Sequence, residues 1–197
     1  MAFDFTQDYV LENERVRLVP LHEHHVDSLQ DLAKEKELWT YFLGRANGYQ
    51  KFKEYVLDAI EHRTTKKEYP FAVYDKQFKE FAGSTRFFDY DHSLKNIRLG
   101  YTWYGARFRG TGLNKNCKYL MFDFAFEELN VERVGLGAHE ENTISIAAMK
   151  GVGCSIEGQI RNAFPSIHSS GRSDAILLSI LKDEWKEYVK NDLKKKL

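Results

Sequence analysis

The chain has 197 residues, a mass of 23.1 kDa and a formal net charge of zero, with 29 basic and 29 acidic residues. This length suits one domain, and the charge balance argues against a protein that binds duplex DNA, which usually carries a basic excess. A hydrophobic share of 43% and an aromatic share of 14% exclude a disordered chain, and two cysteines give no disulfide framework.

The first quarter of the chain predicts one strand and two helices. Val16 and Leu18 alternate with arginines, which indicates a strand that Pro20 ends. Residues 22–38 place apolar side chains at helical spacing, so we expect one helix there. The apolar residues at 52–60 recur at helical spacing along one face, which predicts a second helix packed on a core.

The middle of the chain changes to strand-like patterns. Residues 71–74, 81–90 and 97–104 are apolar or aromatic runs separated by polar turns. Three strands in antiparallel meander order are the simplest arrangement. Residues 114–129 return to helical spacing and are apolar on two sides, which indicates a helix buried between layers.

The last third predicts alternating short elements, namely strands at 133–138, 155–161 and 175–181, a helix at 145–151 and a charged helix at the end of the chain. We therefore expect an α+β (α/β mixed) fold with a mostly antiparallel mixed sheet of about seven strands and helices on both faces. The longest apolar stretch is far shorter than the ~20 residues of a membrane span, and the first residues carry no secretory pattern. A single cytoplasmic domain over residues 1–197 is the expectation, with no membrane and no nucleic acid as partner.

The most informative segment joins the strand at 97–104 to the helix at 114–129. It contains Gly105, Gly110 and Gly112, with Arg107 and Arg109 between them. Glycines allow positive φ and close approach of the backbone, and the first turn of the helix offers unpaired N–H groups. Together with two arginines this pattern predicts a phosphate or pyrophosphate site, although a plain strand–helix connection flanked by surface arginines would use the same residues.

Two other phosphate loops do not fit this segment. A Walker A loop needs Lys-Ser/Thr after its second glycine, and Leu113-Asn114 stands there. A dinucleotide fingerprint needs a third glycine, where the chain has Lys115. Both failures disfavour a nucleotide-binding protein.

A metal site is also disfavoured. The run from His22 to His25 invites a zinc motif, but the position four residues after His22 is Val26. We interpret the run as the polar start of a helix and expect no metal.

The pattern Arg107-x-x-Gly110-x-Gly112 resembles the acetyl-CoA pyrophosphate loop of the GNAT acyltransferase superfamily. Three later segments, at 141–154, 157–161 and 172–181, resemble ordered segments of its ribosomal-protein-type (alpha-amino) N-acetyltransferase subgroup. The resemblance covers residues 10 to about 190.

This resemblance implies a direct transfer of acetyl from acetyl-CoA to a primary amine, which is the α-amino group of a protein or a small amine. It implies that Ser145 gives a proton to the departing thiolate and that a main-chain N–H near Trp103 and Tyr104 stabilises the developing charge. It also implies that a homodimer can form. The acetyl-CoA-binding residues that it implies are Trp103, Arg107, Arg109, Gly110, Thr111, Gly112, Leu113, Asn114 and Asn142.

No motif identifies a general base. Family members often have an acidic residue where this chain has Arg98, and a Glu where it has Asn116. Location leaves the base open among Asp89, Glu157, Tyr101, Tyr104 and a water chain. Ser145 and Asn142 could equally be helix-capping residues. A non-catalytic acyl-CoA-binding module on the same fold is the alternative function.

Overall fold

The computed structural model describes residues 3–42, 46 and 48–197. Eight strands form one sheet in the order β1-β2-β3-β4-β5-β6-β8-β7, antiparallel throughout except for β5 and β6, which are parallel. The strands are Leu11–Glu12 (β1), Val16–Pro20 (β2), Glu68–Asp75 (β3), Glu80–Asp91 (β4), Asn96–Tyr104 (β5), Arg133–His139 (β6), Ser155–Pro165 (β7) and Arg172–Leu181 (β8). The expected mixed, mostly antiparallel sheet is confirmed, and the two-residue β1 makes it eight strands rather than about seven.

Helices cover both faces of this sheet. They are His25–Leu29 (α1), Tyr49–Thr64 (α2), Leu113–Asp123 (α3), Thr143–Gly151 (α4), Lys182–Glu184 (α5) and Lys190–Lys194 (α6). Single π-helical turns, Phe124–Glu128 and Trp185–Val189, extend α3 and join α5 to α6. Within the described ranges, none of the helices combines the length and the apolarity that crossing a bilayer requires.

Two hydrophobic cores lie on opposite faces of the sheet. On the α2 face, α1 and α2 pack Val26, Phe52 and Val56 against the sheet residues Ala72 and Trp103. The α3 face holds the larger core, to which α3, α4 and the C-terminal helices contribute, with fully buried side chains such as Phe122 and Trp185. The expectation of helices on both faces is confirmed.

The single helix expected at 22–38 is wrong. α1 ends at Leu29, and two 3-10 turns, Leu32–Lys34 and Lys36–Trp39, replace its continuation. Glu35 between them has an extended backbone (φ −67°, ψ 105°), and its carboxylate accepts the N–H of Ala106 at 2.9 Å. The turns still bury the apolar residues of this segment, so the periodicity was satisfied without a continuous helix.

The strand β5 carries a bulge. Ser84 of β4 pairs with Trp103, but Arg86 pairs with Gly100, so β5 has one residue more than β4 over this stretch. Tyr101 within the bulge has φ +50°, an uncommon conformation for a residue other than glycine. The bulge redirects the end of β5 next to the place where it separates from β6.

Candidate active site

The sheet opens between β5 and β6. The two strands pair only at Asn96–Arg98 with Arg133–Gly135, and β6 then continues against β8 alone. Because the strands are parallel, both of their carboxyl ends lie at the open end of this split, and so do the helices that follow them. The N-termini of α3 and α4 therefore stand at the same opening, each with a positive dipole end, and the first turn of α3 also offers amides without an intrahelical acceptor.

The glycine loop has the conformation that an anion cradle requires. Gly110 has φ +74° and Gly112, the residue before α3, has φ +88°. At both positions a Cβ would meet no heavy atom within 4 Å. The backbone therefore borders open space beside the first amides of α3, and the residues present fit a diphosphate at this place.

Both arginines of the loop are paired with carboxylates. Arg107 forms an ion pair with Glu80 and lies over the ring of Phe108. Arg109 donates its Nε to the carbonyl of Tyr104 at 2.9 Å and lies 3.8 Å from the carboxylate of Glu35. Both guanidinium groups remain about half exposed, so each can still reach an anion at the loop.

The side chains of the other predicted loop residues fix the loop and the start of α3. Thr111 donates its hydroxyl to the carbonyl of Phe108 at 2.8 Å, which closes the turn. Leu113 is fully buried on the α3 face. Asn114 accepts a hydrogen bond from the Tyr104 hydroxyl at 3.3 Å.

The backbone of β5 directs polar groups toward the split between β5 and β6. The Gly105 N–H donates to Ala82 of β4 at 3.0 Å, and the Trp103 carbonyl also lies against β4 beside Gly83. Since peptide groups alternate along a strand, those of Tyr104 face the other edge, where β6 has diverged. The Tyr104 carbonyl accordingly accepts its hydrogen bond from Arg109 on the edge of β5 that faces away from β4.

The two aromatic side chains at the end of β5 point to opposite faces. Trp103 is buried in the α2-face core against Trp39 and Phe52. Tyr104 is buried in the α3-face core, where burial and the neighbouring Cys117 raise the pKa of its phenol well above the usual value. The structure thus places these side chains apart, although their peptide groups are adjacent.

Asn142 and Ser145 meet at the start of α4. Asn142 caps this helix, and its Oδ1 accepts the N–H of Ser145 at 3.1 Å. Ser145 is therefore not itself the cap, and its side chain is half-buried in the first turn. The capping interpretation of Asn142 is confirmed by this contact.

The candidate bases differ in their surroundings. The carboxylate of Asp89 lies 3.3 Å from Arg98 on the exposed surface. Glu157 pairs with Arg133 and accepts the Ser179 hydroxyl at 2.6 Å, and these hydrogen bonds, that of Arg133 first, lower its pKa. Burial raises the pKa of Tyr101.

Two buried polar residues, one at the end of β6 and one on β4, were missed in the sequence. His139 ends β6 and is buried; its Nδ1 accepts the N–H of Glu141 at 3.2 Å, whereas its Nε2 has no partner among the described residues. The predicted strand ended one residue earlier, at 138, which hid it. Arg86 lies on β4, buried between Tyr55 and Tyr101.

A metal centre does not emerge from the described part of the chain, where no group of three or more His, Cys, Asp or Glu side chains is placed to hold an ion. The histidines at the start of α1 pack against one another instead: the ring of His22 stacks on those of His24 and His25, which lie 4.1 Å apart.

Comparisons with known proteins identify the family and the fold of the chain. The family described as the acetyltransferase (GNAT) domain matches residues 15–155. No curated protein matches the chain.

Solved structures share the whole architecture. A GCN5-related N-acetyltransferase from Brucella melitensis superimposes with a TM-score of 0.86 at 22% identity, covering 96% of this chain and 85% of that one. A Vibrio cholerae protein, provisionally named a ribosomal-protein-serine acetyltransferase, gives 0.74 at 19% identity, covering 92% and 99%. The microcin C7 self-immunity acetyltransferase MccE, solved with acetyl-CoA and AMP, gives 0.73 at 20% identity, covering 86% and 93%.

Proposed function

The chain belongs to the GNAT acetyltransferase domain family, and from that premise we propose that this acetyl-CoA-dependent acetyltransferase acts on a primary amine by direct transfer in one ternary complex. The observation that carries the proposal is the split between β5 and β6, with the positive-φ glycine loop and two helix N-termini at its open end. Acetyl-CoA supplies an activated thioester together with an anionic diphosphate.

The loop residues are proposed to bind the diphosphate. The amides of Gly110, Thr111, Gly112 and the first turn of α3 face it, and charge-assisted hydrogen bonds of this kind are stronger than neutral ones. Arg107 and Arg109 add positive charge when they exchange their carboxylate partners for phosphate oxygens. Leu113 and Asn114 hold the first turn of α3 in place through their side-chain contacts.

The acyl end of the carrier is proposed to lie beside the bulged end of β5. The main-chain N–H of Tyr104 points to the free edge of this strand, where it can donate to a carbonyl oxygen that gains negative charge. We assign this role to the peptide group, because the Tyr104 phenol lies in the opposite core. The Trp103 side chain is proposed to border the acyl position from the α2 face.

Ser145 and Asn142 are proposed to act at the second helix N-terminus. Ser145 would give a proton to the departing sulfur, and Asn142 combines its capping role with a contact to the pantetheine arm. A primary amine with a pKa near 10 must lose a proton before it attacks. Because Asp89 and Glu157 are both paired, we propose that a water chain carries this proton to the bulk solvent.

An acetyl-transfer screen tests the proposal. Free thiol released from acetyl-CoA is measured with N-terminal peptides, polyamines and aminoglycosides, and the thermal shift is measured with CoA, ATP and NAD. We expect CoA to stabilise the protein by about 2.7 kcal/mol at about 100 times its Kd. A shift with ATP alone would refute the acetyltransferase function, and CoA binding without thiol release would favour the non-catalytic module. The homodimer stays a prediction that light scattering can test.

A further inference from the structure

Four buried hydrogen-bond donors lie together on the α2 face of the sheet without an acceptor. They are Nε and Nη2 of Arg86, the hydroxyl of Tyr55 and Nε1 of Trp103, none of which has a hydrogen-bond partner among the described residues. Arg86 and Trp103 are each 3% exposed. Arg86 and Trp103 both approach the Tyr55 hydroxyl with N–H groups, but neither contact meets the full distance and angle of a hydrogen bond.

The free edge of Arg86 has the shape of a carboxylate site. Its Nη1 donates to Glu68 at 2.5 Å, which leaves the edge formed by Nε and Nη2 unpaired. These two N–H groups are parallel, and that geometry matches two oxygens of a carboxylate. The rings of Tyr55 and Tyr101 lie 4.4 Å and 4.7 Å from the guanidinium carbon, so they hold the guanidinium between them.

An arrangement of this kind is unfavourable unless something fills it. Buried polar groups are almost always hydrogen-bonded, and an unsatisfied donor loses its hydration without compensation. The Tyr55 oxygen is the one group of the four that can accept, and it cannot accept from all the N–H groups of Arg86 and Trp103 at once, so the cluster cannot satisfy itself completely. An anionic acceptor would satisfy several of them at once.

The cluster lies beside the acyl position and next to a groove. Trp103 directly precedes Tyr104, the residue whose N–H is proposed to contact the acetyl carbonyl. A groove of about 520 Å³ is lined by Glu68 and Tyr101, which both contact Arg86. Lys67 stands on its rim. Tyr101, 41% exposed and part of the bulge, lines the groove on one side and packs its ring against the guanidinium.

We propose that Arg86 is a specificity-determining residue that binds a carboxylate of the acceptor, so that the preferred acceptors are amines that also carry a carboxylate. The carboxylate enters from the groove as the Tyr101 ring moves aside, and it takes hydrogen bonds from the Nε and Nη2 edge and from Trp103. This inference rests on the proposed acetyl transfer, since it names the acceptor class for the same site.

Matched acceptor pairs test the inference. The ω-amino acids from glycine to 6-aminohexanoate, and peptides beginning with Asp or Glu, are each compared with the corresponding carboxamide. Initial rates with acetyl-CoA are measured, and binding of the same pairs is followed by calorimetry with CoA present. We expect at least one acid to exceed its amide by about tenfold or more in kcat/KM or in affinity. The reason is that a neutral carboxamide has one oxygen and cannot accept from both N–H groups of the charged guanidinium edge.

Variants connect the preference to Arg86. Arg86→Lys keeps the positive charge but removes the two parallel N–H groups at Nε and Nη2. We expect this variant to lose the preference for the acid over its amide, while its Kd for CoA stays unchanged. Lys67→Gln, a substitution of an exposed lysine on the groove, is the matched control and should keep the preference. Thermal melts establish that both variants fold, and Arg86→Gln replaces Arg86→Lys if the latter does not.

The outcomes separate the two proposals. Equal use or equal binding of acids and amides by the wild type, with CoA bound, would overturn the carboxylate site and would mean that water fills the donor cluster. A preference that persists in Arg86→Lys would also overturn it. Failure of the acetyltransferase function itself would show instead as an absence of CoA binding, which the calorimetric titration of CoA measures first, or as CoA binding without thiol release from acetyl-CoA for any acid or amide.

Discussion

The glycine loop at 105–112 and the donor cluster around Arg86 present polar groups in opposite ways. In the loop the backbone supplies the binding groups, and its two arginines are already paired with carboxylates. In the cluster side chains supply them, and four donor atoms are buried without an acceptor in the described structure. One is an exposed site of backbone amides, and the other is a buried site of side chains.

This difference teaches where each kind of specificity comes from. A backbone site depends on a short local conformation, so it can recognise a group that many proteins share, such as a diphosphate. A side-chain site depends on residues from separate elements, here α2, β4 and β5, so it can differ between relatives with the same fold. Substitutions in the glycine loop should therefore change the affinity for CoA, whereas substitutions in the donor cluster should change the preference among acceptors.

The largest expected effect is that of Gly110→Glu on the loop. The new carboxylate enters the space of the diphosphate and repels it, and a residue other than glycine is strained at φ +74°. We expect the affinity for CoA to fall by about 1,000-fold, which is about 4 kcal/mol. Gly110→Ala carries the strain without the charge and should lose far less. Calorimetry measures both, and equal losses would refute the diphosphate site.

The next largest effect is a loss of stability at acidic pH, and it arises on the α2 face. Burial, with the neighbouring His24, lowers the pKa of His25 from 6.5 to about 4. The folded state thus favours neutral His25, and its contribution to stability, present above pH 6.5, is lost as the pH falls toward 4. About 3 kcal/mol of unfolding free energy should disappear over that range.

Urea unfolding at pH 7 and pH 4 measures this loss, with His25→Gln as the comparison. The variant keeps an acceptor for the His22 N–H, which His25 Nδ1 accepts at 3.0 Å, but it cannot take a proton. Its unfolding free energy should fall less between the two pH values. The same decrease in both proteins would show that other groups determine the acid response.

A smaller effect is expected of Ser145→Ala at the second helix N-terminus. Loss of a proton donor should lower kcat by about 10- to 100-fold, whereas the Kd for CoA should stay unchanged because the Asn142 cap accepts from the main chain. Single-turnover rates with an identified amine measure the change. An unchanged rate would remove Ser145 from the mechanism.

The smallest effect tests whether the loop arginines are phosphate ligands. Glu80→Gln releases Arg107 from its exposed ion pair, and such pairs contribute at most about 1 kcal/mol. If Arg107 binds the diphosphate, the affinity for CoA should rise about threefold and depend more strongly on salt. Unchanged affinity would indicate that Arg107 is a surface residue.

The sequence was sufficient for features that local pattern determines. The meander of β3, β4 and β5, the helix α2 and the glycine loop each occupy a continuous segment with a clear period or a glycine requirement. The resemblance to the acetyltransferase superfamily rested on such segments, and the family match confirms it. The roles of the individual site residues stay predictions.

The rest depended on tertiary contacts. Arg86, Tyr55 and Trp103 stand far apart in sequence, and each fits the core-facing side of its own element, so no pattern joined them. The aromatic residues of β4 and β5 suggested packing and a substrate wall equally well. The bulge gives Tyr101 a positive φ, and a tyrosine in the sequence does not predict this conformation. The apolar spacing at 22–38 was met by short turns, because Glu35 binds the loop at Ala106.

The pairing of β5 with β6 has a mechanical consequence. In the described part of the sheet, the ladder that joins the N-terminal five strands to the last three has three residues of each strand, and the α3-face core packs against both of these blocks. A molecule bound in the split between β5 and β6 would contact the unpaired edges of both strands and so connect the two blocks. When the split is occupied, the amide hydrogens of β5 and β6 should exchange more slowly in both strands together, because the two blocks would then behave as one rigid unit.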